Sequence, residues 1–143
     1  MSRIISARDR LEQASDLSAV LHAAYEAFEA MRLAFRAHED PATGLFAPFV
    51  MAAAAAADGR DAVAFAPSLP SGQSHGAPAA GEGPGQGQSA EGVAGAAAGL
   101  SQVLAGSLIR AAGSASDPGD RAACEEAAVC AHRIWDLLGG TGP

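Results

Sequence analysis

Two polar stripes hold the ionisable side chains whose spacing could do chemistry. In a helix spanning about residues 16–38, His22, Glu26 and Glu29 share one face, and in a later helix Glu125, His132 and Asp136 share another. An imidazole among carboxylates can ligate a divalent metal, and two such stripes turned inwards from different helices would build a site in a bundle core. Carboxylate-bridged di-metal bundles use Glu-x-x-His pairs one turn apart, however, and no Glu-x-x-His occurs in this chain. The sequence favours a solvated face laced with pairs such as His22 with Glu26 and Glu29 with Arg32, each contributing only a few tenths of a kcal/mol. A metal ion or small ligand bound through the polar faces of the first and fourth helices is the alternative.

Other chemistry is excluded by composition. The chain has no lysine, so it has no Schiff-base site and no Walker-type phosphate loop. Glycines at 81, 83, 85 and 87 do not give the G-x-G-x-x-G spacing of a dinucleotide loop, and no strand precedes them. Cys124 and Cys130 fall six residues apart on one helix, about 9 Å along its axis and off-face, so they cannot pair while that helix persists. They read as small core residues in a reducing compartment. A net charge of -7, with nine arginines spread along the chain, offers no basic face to a phosphate backbone, so nucleic acid is not expected as a ligand. No enzymatic activity, cofactor or resident metal is expected. The start, MSRIISARDR, has no apolar run of signal-peptide length, and the expected location is the cytoplasm.

The segment 16–38 organises the rest. Leu17, Leu21, Ala24, Phe28, Met31, Phe35 and His38 recur at alternating steps of four and three, which makes a core seam. About a third of a turn away lie Ala19, Ala23, Ala27, Ala30, Ala34 and Ala37, an all-alanine stripe. A helix apolar on two sides can be covered on both, as the central helix of a bundle. Its third face carries Tyr25, Glu29, Arg32 and Arg36, the candidate partner-binding residues. Tyr25 and Glu29 also fit a Y-x-x-x-[DE] motif, in which the chain resembles small helical secreted substrates of some actinobacterial systems. The accompanying W-x-G turn is absent from the following loop, so the resemblance is confined to that motif and assigns no family.

Residues 1–15 read as a backward extension of the first helix from a cap near Ser6. Pro41 ends that helix, and the short connection 39–47 predicts an antiparallel return. A second helix is expected from Pro48 through the run Ala52–Ala57, which suits the alanine stripe of the first; Gly59 is either traversed or a break. Residues 67–89 are rich in Gly, Pro, Ser and Gln and read as a flexible linker. A third helix over 90–112 sets Gly92, Gly99 and Gly106 one heptad apart, a bare side suited to close packing on a neighbour. It also contains Gly95-x-x-x-Gly99, but Ser101, Gln102 and Ser107 argue against a membrane span. The fourth helix is marked by Asp117 as N-cap, Pro118 in its first turn and Gly139 after its end.

These readings predict one all-α domain over 1–143. Hairpins at 16–66 and 90–139 pack as a small four-helix bundle across the flexible linker. Large apolar residues make up only about a fifth of the chain, near the lower bound for a stable core. The expected function is therefore a non-enzymatic protein–protein interaction or scaffold module. A protein partner or a second copy in a homodimer would supplement the core, without nucleic acid or membrane.

Overall fold

The computed structural model describes residues 3–69 and 89–139, and its regular elements are all helical. They are α1 (Arg3–Gln13), α2 (Leu17–Ala37), a short 3-10 turn (Pro41–Thr43), α3 (Phe46–Ala64), α4 (Ala90–Ser114) and α5 (Pro118–Leu138). Most of the expected linker and the tail after Gly139 lie outside the described residues.

Among the described residues there are five α-helices where the sequence suggested four, and the difference lies at Asp16. Asp16 adopts an extended backbone and its carboxylate accepts the Ala19 N–H at 2.8 Å. An N-cap starts a helix rather than continuing one, so residues 3–13 form α1 instead of lengthening α2. Ile4, Ala7 and Leu11, spaced three and four apart, are the buried row of α1.

Helix α2 packs on α3, α3 on α5, α5 on α4, and α4 returns to α2, while α1 lies against α2 and α4. Leu21, Ala24, Phe28, Met31 and Phe35 of the seam are fully buried, and Ala23, Ala27 and Ala30 of the alanine stripe are buried too. Both apolar faces are covered, but the alanine stripe not by the six-alanine run that the sequence suggested for it. Phe28 and Phe35 face α3: Phe28 meets Gly59, and the Phe35 ring stacks on Phe49 with centroids 5.5 Å apart. Met31 points towards α4, where the fully buried Ser101 hydroxyl donates to its sulfur at 3.5 Å. Around the helix axis the alanines fall between Met31 and Glu26, whose carboxylate pairs with Arg10 of α1. They are thus covered by α1 and α4 rather than by the six-alanine run.

Helix α3 begins two residues before the expected Pro48 and continues unbroken through Gly59. A Cβ at position 59 would lie 2.5 Å from Phe28 Cζ and 2.8 Å from Cδ1. Gly59 therefore makes room for a ring rather than ending a helix. The glycine row of α4 is a further difference. Gly92, Gly95 and Gly113 are exposed, and a Cβ at Gly95 or Gly113 would meet nothing within 4 Å. The guanidinium of Arg8 lies over Gly99, 3.3 Å from where a Cβ would be, so no helix backbone fills the bare side. Helix α4 packs instead through Val93, Ala97, Leu100, Leu104 and Leu108, all fully buried.

Candidate functional site

Asp16 and the fit against α3 set the orientation of the polar face of α2. Glu29 is the hub: its carboxylate accepts from Arg32 at 2.7 Å within α2 and from Arg60 of α3 at 2.7 Å. All three side chains are partly buried. The Arg32 guanidinium is the largest influence holding the Glu29 carboxyl below its usual range; Arg60 adds to it, and burial opposes it. The arrangement clamps α2 to α3. Tyr25 is half-buried against the core, while Arg36 is exposed and 3.9 Å from Glu39. Of the four candidate partner-binding residues, then, Glu29 is held by Arg60 across the helix interface, Arg32 pairs with Glu29 within α2, Tyr25 leans on the core and Arg36 faces solvent.

The two histidine stripes stay apart. His22 lies 3.7 Å from Glu26 on α2, and His132 3.7 Å from Asp136 on α5. Because α2 and α5 do not form a packed pair, their polar faces do not converge. Among the described residues no three His, Cys, Asp or Glu side chains stand together as a metal site. Cys124 and Cys130 are free thiols on the buried side of α5, and burial pushes both thiols above their usual pKa. They are poor nucleophiles in that state.

A second surface, not identified from the sequence, lies between α3 and α5. Ser68, just past α3, donates its N–H (2.9 Å) and hydroxyl (2.6 Å) to the buried Asp120 carboxylate in the first turn of α5. That staple joins the end of α3 to the start of α5, so the helices run antiparallel and leave an open groove of about 680 Å³. One wall is the exposed row Asp58, Asp61 and Phe65; the other is Gly119, Ala122, Glu126, Val129 and Arg133. Both rows step by three and four, the spacing at which one helix seats against another. Phe65 is 84% exposed, Val129 58% and Met51 56%. Asp58, Glu126 and Arg133 make no ion pair or hydrogen bond among the described residues, whereas Asp61 lies 3.3 Å from Arg60.

The signal for this groove is present in the sequence, in the three-and-four spacing of Asp58, Asp61 and Phe65, which continues the exposed row of Met51 and Ala54. Taking Asp58-Gly59-Arg60-Asp61 as a possible break divided that row in two. No protein-family model, curated protein or solved structure matches the chain, so the functional reading comes from its own geometry.

Proposed function

We propose that the protein is a non-enzymatic helical interaction module in which two hairpins, with α1 added against α2 and α4, present a surface for another protein. The observation that carries this reading is the exposure of Phe46, Val50 and Met51 on α3, of Phe65 at its end and of Val129 on α5, while the largest residues of the core are fully buried; Ile5 on α1 and Ile109 on α4 are the other exposed large apolar residues among those described. Large apolar side chains left exposed mostly along one helix pair favour a contact surface there. Self-association is one form of the reading, with Tyr25 and Arg36 as further contacts on the flank of α2.

Two measurements test it. Equilibrium sedimentation at micromolar concentration should show a dimer if the partner is a second copy. Co-purification from the source cells, with identification of bound proteins, should recover a defined partner in near-stoichiometric amount. Recovery should fall for a Met51→Ser/Phe65→Ser variant whose melting matches that of the wild type. A folded monomer that retains no protein, or that retains the same proteins after both substitutions, would overturn the proposal.

A further inference from the structure

We propose that the α3/α5 groove seats a basic amphipathic helix belonging to another protein. This deepens the interaction reading above and depends on it, naming the face and the chemistry of the partner. Its apolar contacts are Phe65 at one end and Val129 on the opposite wall, both exposed and both lining the groove. The small residues Ala62, Gly119 and Ala122 line the same groove. There a visiting helix could approach closely without displacing side chains, and the three-and-four spacing of both walls matches its ridges.

Charge decides the class of helix. Asp58, Asp61 and Glu126 line the groove, with Arg133 as its one cation among the described residues. Asp58 and Glu126 have no internal ion pair among the described residues, so two carboxylates are left for the incoming surface. Opposite charge across an interface speeds encounter and fixes register, whereas like charge repels. An apolar helix edged with Arg or Lys satisfies both the hydrophobic and the acidic features of the groove. A second copy of the same face would bring three carboxylates and one arginine against the same set, leaving like charge in excess. The helix richest in arginine, α1, with Arg3, Arg8 and Arg10, is committed elsewhere, since Ile4, Ala7 and Leu11 are buried in the core.

The test uses the full chain, isotopically labelled, and three synthetic end-capped helical peptides with a leucine seam flanked by arginines in different registers. Three matching peptides carry glutamate in place of arginine. At least one arginine peptide should shift the backbone amides of residues 51–65 and 119–133. Its affinity should fall at least about tenfold in Asp58→Asn/Glu126→Gln, and again in Phe65→Ser, with weakening as salt is raised. The glutamate twins should bind at least about tenfold more weakly. Equal binding of the two peptide sets would refute the basic character of the partner while leaving the apolar surface intact. If no arginine peptide perturbs the groove, the groove assignment is overturned, and co-purification still decides the broader reading. A wild-type dimer that becomes monomeric in Phe65→Ser would replace the foreign helix with a second copy, and so would also overturn the proposal.

Discussion

Gly59→Ala should destabilise the protein, although alanine is the better helix former. In an open helix the substitution gains about 1 kcal/mol from propensity. Here the new methyl carbon would sit 2.5 Å from Phe28 Cζ and 2.8 Å from Cδ1, far inside ordinary contact of about 3.5–4.0 Å. The atoms struck belong to a rigid ring that is fully buried, so the ring or the whole helix must shift by about 1 Å in a close-packed interior. Overpacking of this kind costs about 1–3 kcal/mol, and an overlap with three ring atoms belongs at the upper end. The net loss is then about 1–2 kcal/mol, which lowers Tm by roughly 3–6 °C for a domain of this size. Denaturant unfolding of Gly59→Ala, Phe28→Leu and the double variant measures the contact directly. The smaller, flexible leucine should relieve the clash, so the double variant should lose at least about 1 kcal/mol less than the sum of the single losses. An increase in stability for Gly59→Ala, or strict additivity in the cycle, would refute the claim that this glycine exists to admit the ring.

Asp120→Ala should cost about 1–3 kcal/mol, because it strands the Ser68 N–H as well as its hydroxyl, whereas Ser68→Ala removes one hydrogen bond and should cost about 1 kcal/mol. Amide exchange at residues 66–69 should accelerate in the aspartate variant, and an Asp120→Ala variant as stable as the wild type would show that the staple carries no weight. The Glu29 carboxyl titrates below its usual range in the folded chain, so its stabilising contribution is present above the unfolded value of about 4.3 and is lost as the pH falls through the folded value. The stability gap between wild type and Glu29→Gln, about 0.5–1 kcal/mol at neutral pH for so partly exposed a cluster, should therefore close on acidification; a gap unchanged at pH 3 contradicts the clamp. Cys124 and Cys130 should resist an aromatic disulfide reagent until denaturant unfolds the chain, and prompt reaction of either thiol in the native protein would contradict its burial.

Local rules read most of the helices correctly. Asp117, Pro118 and Gly139 frame α5 as expected, and the seam from Leu21 to Phe35 is buried as its spacing required. What escaped those rules depends on pairs of residues far apart in the chain. Nothing near Gly59 announces that Phe28 needs its space, so a residue with low helix propensity looked like a break. The alanine stripe of α2 and the alanine run of α3 seemed natural mates by composition, yet the larger rings of Phe28 and Phe35 took the α3 side. Asp16 is visible as a cap in sequence, but only the buried row of α1 shows what lies before it. For the candidate site, the pairing of Glu29 with Arg32 was legible one turn apart, whereas Arg60 enters from 31 residues away. The α3/α5 groove needed the relative placement of two helices, which the staple between Ser68 and Asp120 supplies.

The open glycine row of α4 also bears on the order in which the protein assembles. With five glycines among its 25 residues, α4 forfeits about 5 kcal/mol of intrinsic helical preference relative to alanine at those sites. The alanine run of α3 begins from the opposite extreme. In the unfolded ensemble α3 should flicker into helix on its own, while α4 acquires its shape only when Val93, Leu100, Leu104 and Leu108 find a surface to cover. Substitutions along α2 and α3 should then slow folding, and those along α4 should mainly hasten unfolding. The bare side of α4 would thus make it a late-arriving helix, stable in the finished protein but absent from its nucleus.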